Sequence, residues 1–185
     1  MTPSAVWVIR AGKHGEDEEV ALEKGLAIVR FSEFGDLRQF DSVAATADWF
    51  VAQHPDAPRP RAENYARQLW ALREQIQVGD TVVLPLKLRR GQIAIGTIRG
   101  NYNYISVGGE PRHTIAVDWT HPDLPRSAFA QDLLYSFGAF LTVFRVRRND
   151  AERRVADVLA GRPAGYSFRR RAGRSSRTWD SSAGR

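Results

Sequence analysis

Residues 78–120, VGDTVVLPLKLRRGQIAIGTIRGNYNYISVGGEPRHTIAVDWT, constrain the fold more than any other stretch, because glycine interrupts the apolar runs at 79, 91, 96, 100 and 108–109. Runs rich in β-branched and aromatic residues suit strands, and glycine between them supplies tight turns. The strands are therefore expected to be mostly sequential and closely linked. VGDTVVLPLK and GQIAIGTIRG read as a hairpin, followed by strands at about 102–107 and 113–119. A doubly wound sheet is excluded by the same spacing, since it requires regular strand–helix alternation.

The flanking sequence adds strands and helices in turn. SAVWVIRAG predicts a strand over 5–11 that ends at Gly12, and LAIVRFS predicts a second. Between them, KHGEDEEVALEKG opens with acids and closes on Gly25, as a short helix requires. Residues 41–53 form a further helix carrying Trp49 and Phe50, and Pro55, Pro58 and Pro60 mark a loop after it. Tyr65, Leu69, Leu72 and Ile76 recur at helical spacing within 61–77, which marks a buried stripe, whereas Asn64 and Gln68 fall elsewhere on that helix and are candidates to face a ligand. A loop and short helix in LPRSAFAQDLLYSFG, a strand at 140–147 and an Asn-capped helix at 149–159 complete the pattern. The expected architecture is α+β, a small mixed β-barrel of five to seven strands with three or four inserted helices. Residues 1–160 form one domain, and 161–185, rich in Arg, Ser and Gly, form a flexible basic tail.

Charge is distributed unevenly. The net +6 resides in 161–185, where seven arginines face the single acid Asp180, so 1–160 is neutral overall. Within that body, 87–112 holds five cations and one acid, whereas 16–23 holds five acids and no cation. A bound polyanion should meet the first segment and avoid the second. The absence of cysteine excludes disulfides, thiolate metal sites and a cysteine nucleophile. No apolar run approaches the roughly 20 residues of a membrane span, and the N-terminus lacks the pattern of a signal peptide. A soluble, cytoplasmic protein is expected.

The sequence carries none of the common catalytic motifs. A restriction-type nuclease needs carboxylates to hold metal and an acid-x-Lys pair, but Pro85 occupies the acid position before Lys87, downstream of Asp80. His14, His54, His113 and His121 belong to no metal or deaminase pattern, and a metal site at His14, Glu16 and Asp17 has only a short motif in its favour. No enzyme activity and no cofactor are expected of this chain.

What remains is a constellation of rings and cations. Trp7 and Arg10 share the first strand, where a tryptophan serves as core or pocket wall. Lys87, Arg89 and Arg90 crowd a hairpin tip; Arg99, Arg112 and His113 follow; Tyr102 and Tyr104 share one strand face. Asn103 offers an amide able to pair with a base edge. Asp118 and Trp119 end a strand, where a ring stacks on a base and a carboxylate accepts from its exocyclic amine, or where both serve the core and a turn. Ser127 and Gln131 flank a short helix and either cap it or face a pocket mouth.

VWVIRAGKHGE, QLWALREQIQVGDTVVLPLK, IAIGTIRGNYNY and LPRSAFAQDLLYSFGAFLTVFRVRRNDAERRV, in that order, resemble the domain that precedes the nuclease in Mrr-like restriction proteins, over nearly all of residues 5–160. The resemblance implies a PUA-like barrel related to EVE and YTH domains, which take a modified base into an aromatic-lined pocket. It implies a reader of modified DNA, with base flipping, that directs a nuclease domain or subunit. An RNA-binding module and a nuclease-docking domain without base readout are the alternatives.

Overall fold

The computed structural model describes residues 4–162. Most of the arginine-rich tail, residues 163–185, lies outside them. Seven strands form one curled sheet: β1 (Val6–Ile9), β2 (Leu26–Val29), β3 (Thr81–Pro85), β4 (Gln92–Ile98), β5 (Asn103–Val107), β6 (Glu110–Pro125) and β7 (Val143–Arg145). Five α-helices accompany them: α1 (Glu18–Lys24), α2 (Val43–Gln53), α3 (Arg59–Trp70), α4 (Gln131–Ser136) and α5 (Ala151–Leu159). The chain is thus α+β, built on a half-barrel, with more helix than the three or four segments expected.

The strand order is β2-β6-β4-β3-β1-β7, with β5 also paired to β6. The glycine-punctuated run is antiparallel throughout, in β3–β4, β4–β6 and β5–β6, but β4 pairs with β6 and not with its successor β5, so not every consecutive pair of strands lies side by side. β1 instead pairs parallel with β3, Val6 opposite Thr81, and antiparallel with β7. All four of its residues are buried because both faces are covered. Trp7 and Ile9 enter the interior with Val82, Ile98, Ile115 and Leu72, while Val6 and Val8 pack outward on Leu133, Phe137 and Val155 of the α4 and α5 layer.

Strand β6 is 16 residues long and extends past the expected end at 119 through Pro122 and Pro125. Its first half carries β2 on one edge and β5 on the other, while residues 117–125 pair with β4. Beyond Val117 the β2 edge is vacated, so prolines there remove no ladder donor the sheet needs. Where β4 crosses β6 the register shifts, and a Cβ on Gly96 would lie 2.6 Å from the Asp118 carbonyl oxygen and 2.5 Å from Val117 Cγ1. Glycine is required by that close approach.

The predicted helix over 61–77 is α3 followed by a π-helical turn, Ala71–Gln75. With α2 it forms a second apolar layer around Phe34, Leu37, Phe40 and Phe50. Gln68 is no ligand contact: its Oε1 accepts from Thr142 N at 2.8 Å and Val143 N at 3.0 Å, and its Nε2 donates to Asn64, tying α3 to β7.

Candidate functional site

One lip of the half-barrel gathers the C-terminal ends of β1, β2 and β3 and the start of β7. A pocket of about 520 Å³ opens there, lined by Arg10, Gly12, Lys13, Arg30, Phe31 and Glu33 on one side and by Lys87 and the loop Gly138–Thr142 on the other. Its volume falls within the range of small-ligand sites. Four cations line it against one acid, and two phenyl rings accompany them, Phe31 half-buried and Phe140 fully exposed.

The frame of this pocket is made by carboxylates that sequence reasoning placed away from any polyanion. The buried Glu18 carboxylate accepts from Lys87 N at 2.7 Å and from Leu88 N at 3.0 Å, fixing the hairpin tip against α1. Asp17 holds Arg30 through two bonds, 2.6 and 2.9 Å, and its hydrogen bond keeps the guanidinium pKa above its ordinary value. Glu16 accepts from His14 N, and backbone N–H groups hold its carboxyl below its usual range. With these acids engaged internally, the cluster at 16–18 supports the cationic lip. Lys87 itself turns across the opening, its Nζ donating to the Lys13 carbonyl oxygen.

The aromatic floor depends on a relay through two residues the sequence offered as ligand contacts. Phe31 has φ 21° and ψ 40°, a left-handed backbone that a phenylalanine rarely adopts. His113, fully buried, lies 3.1 Å from the Phe31 carbonyl oxygen through Nε2 and 3.0 Å from the Tyr102 hydroxyl through Nδ1. A carbonyl only accepts, so Nε2 carries the proton and Tyr102 donates to Nδ1. Tyr102 in turn accepts from Leu37 N at 3.0 Å. Burial lowers the His113 pKa and pushes the Tyr102 phenol up to about 12, so both are neutral in the relay.

The other expected contacts are redistributed by the fold. Trp7 is core, 3% exposed, with Nε1 donating to Asp80 at 2.9 Å; the same Asp80 carboxylate also accepts from Ala5 N and Gln77 N. Arg10 lines the pocket, but its guanidinium donates to the carbonyls of Phe137, Ala139 and Leu141 and so clamps the loop that carries Phe140. Tyr104 packs beside His113 with ring centroids 5.1 Å apart, and Asn103 Oδ1 accepts from its own neighbour, Tyr104 N. Arg112 is buried beside Glu110 and the Pro111 carbonyl. Trp119 packs between two core clusters and donates to the Ala21 carbonyl oxygen at 3.0 Å.

Arg99 and Asp118 pair with each other at 3.0 Å on the opposite end of the sheet. Asp118 is level with Thr97, Thr81 and Val6, about 13 Å below Arg10 by strand rise. Ser127, in the turn before α4, and Gln131, the first residue of α4, are exposed and outside the pocket lining. Lys87 is therefore the expected exposed cation that reaches the pocket, its Nζ held at the Lys13 carbonyl across the opening, and Arg89 and Arg90 are exposed on the same tip.

Phe31, Phe140, Lys13, Arg30 and Glu33 were missed. The signal for Phe31 was an aromatic residue near the end of the expected strand LAIVRFS and before a Gly-Asp turn; for Phe140, a phenylalanine two residues after Gly138 at the start of the strand expected at 140–147, which begins only at Val143. Among the described residues no group of three or more His, Cys, Asp or Glu is placed to hold a metal ion, and no helix is long and apolar enough to cross a membrane.

The family model described as Domain of unknown function (DUF8426) matches residues 7–133. The chain belongs to the DUF8426 family. The DUF8426 match runs from β1 into α4, so it includes Phe31 and the cationic lip and stops short of Phe140 and β7. No curated protein matches the chain.

Proposed function

We propose that this DUF8426 domain binds DNA and takes one modified, unstacked base into the lip pocket, directing a restriction nuclease to the modified site. The observation that carries the reading is an exposed ring, Phe140, and a second ring, Phe31, in one pocket with Lys13 and Lys87 at its edge. A solvent-exposed phenylalanine contributes nothing to a core, but it provides a stacking face for any base. Stacking is worth ~1–3 kcal/mol per base, enough to offset the few kcal/mol needed to extract a base from the duplex. Lys13 and Lys87 then meet the flanking phosphates, and Glu33 accepts from an exocyclic amine of the base. The resemblance to PUA-like readers supports the modified-base part of the proposal.

The test is a binding panel of duplexes carrying 5-methylcytosine, 5-hydroxymethylcytosine, N6-methyladenine or phosphorothioate, with unmodified DNA and RNA as controls. A preference for one modified duplex is expected. Phe140→Ala should keep the melting temperature, because the ring is fully exposed, and should weaken selective binding roughly 5- to 150-fold. Equal binding to every duplex, or tighter binding to RNA, would overturn the proposal.

A further inference from the structure

The loop Gly138–Phe140 is a wall with a cavity on each side. Gly138 and Phe140 face the lip pocket, while Ala139 lines a second cleft of about 470 Å³ together with Tyr135, Phe144, Arg147, Arg148 and Asn149. We propose that this cleft is the path of the nucleic-acid strand beside the captured base, with Arg147 and Arg148 each on a phosphate and the neighbouring base stacked on Tyr135. The inference rests on the base-capture reading and assigns the strand a direction of exit from the pocket.

Charge bookkeeping within the cleft leaves these two arginines over. Asp132 is held by Arg154 through two bonds of 2.8 Å, Arg145 by Glu152 at 2.8 Å, and Asp150 by Arg153 at 2.6 Å. Arg147 and Arg148 are exposed and enter no ion pair among the described residues. Tyr135, 73% exposed, presents a ring on the same surface. Exposed arginines next to an exposed ring are the components of a single-strand groove, where cations follow the backbone and rings take the bases.

The cleft is also built to hold its shape. Asn149 Nδ2 donates to the Asp132 carbonyl at 3.0 Å and to Ser136 Oγ at 2.8 Å, joining the segment after β7 to α4. Asn149 and Asp150 have consecutive positive φ values, 61° and 52°, and this turn directs the chain from Arg148 into α5. Successive left-handed residues cost free energy, and such strain concentrates at functional segments. On the far side, Arg10 fixes the wall through the carbonyls of Phe137, Ala139 and Leu141. Both cavities thus share one rigid partition.

The experiment compares two ligand lengths on the full chain: the single-stranded forms of the base-modified DNAs above, roughly 12 nucleotides long, and the matching free modified nucleosides. For Arg147→Ala/Arg148→Ala, nucleoside binding should equal that of the unmodified protein. Binding of the 12-mer should weaken tenfold or more, and its log–log salt slope should fall by about 1.4, the value for two single-strand phosphate contacts. Tyr135→Ala should weaken the 12-mer and leave the salt slope unchanged. Because all three side chains are exposed, melting temperatures should match. An unchanged 12-mer affinity and slope, with Phe140→Ala still weakening both ligands, would overturn the cleft assignment and leave the pocket standing. Loss of 12-mer binding in the arginine variant with Phe140→Ala inert would overturn the continuous track together with base capture.

Discussion

Phe31 keeps a backbone conformation that costs about 1–3 kcal/mol, and the bond from His113 Nε2 to its carbonyl is one of the interactions that hold it there. That bond makes the pocket floor sensitive to protons. Burial holds the folded His113 below its ordinary value of 6.5, outweighing the Phe31 carbonyl, Asp36 and Glu33, which pull the other way. Between the folded pKa and 6.5 the unfolded chain binds more protons than the folded one, so stability rises with pH through that window. The contribution is complete above 6.5 and is lost as pH falls from 6.5 toward the folded value. Its slope is at most about 1.4 kcal/mol per pH unit. Thermal melts from about pH 8 to about pH 5 should show this acid loss, and His113→Gln, whose amide can keep both hydrogen bonds, should flatten it. An identical acid slope in the variant would mean that other groups carry the dependence. Little of this was legible beforehand. Tyr102 and His113 were visible as a ring and an imidazole near cations, but whether they touch a ligand or hold another ring depends on burial, which spacing along one strand does not report.

At the scale of elements, the Glu18 carboxylate hydrogen-bonds α1 to the β3–β4 hairpin, beside the apolar cluster of Ala21 with Leu84, Leu86 and Ala94. Removing the carboxylate in Glu18→Ala leaves the Lys87 and Leu88 amides without their acceptor, which should cost about 1–3 kcal/mol. Hydrogen exchange at those two amides should accelerate more than at Val82 or Val83 in the middle of β3, and DNA affinity should fall because Lys87 loses its position. If exchange accelerates uniformly, the variant has lost global stability alone. The hairpin was readable from sequence because turn chemistry is local. Its partner α1 was not, because the acid run looked like an ordinary helix start. β6 shows the converse limit: the strand was expected to end at 119, and only the vacated edge beyond Val117 explains why it continues through Pro122. The pocket itself joins the two ends of the sheet order, β2 through Phe31 and β7 through Leu141 and Thr142, a juxtaposition that depends on curling and leaves no trace in either segment.

For the whole molecule, the two ends of the half-barrel make opposite predictions about salt. Lys87, Arg89 and Arg90 stand at the pocket end; Arg99, paired with Asp118, stands at the other. Changing the first three to alanine should weaken binding to all DNA by a similar factor and lower the duplex salt slope by up to about 2.7. Arg99→Ala should leave both unchanged. A titration in which Arg99 matters and the tip does not would place the nucleic acid on the wrong end for this pocket. Deleting residues 163–185, which carry the arginine-rich tail, should flatten non-specific salt dependence while preference among modified duplexes persists.

The position of β1 also bears on the order in which this protein is made. Its neighbours are β3, paired from Thr81, and β7, paired through Arg145, so the first strand of the domain to be made is completed by some of the domain's last residues. At about 5–20 residues per second, both edges of VWVI wait for seconds before either is covered. A bare apolar strand is a template for pairing with other chains. Chains arrested near residue 133, the end of the family match, would lack β7 and the carbonyls that receive Arg10. Such chains should accumulate as chaperone-bound or aggregated species, whereas chains extended beyond α5 should be released folded.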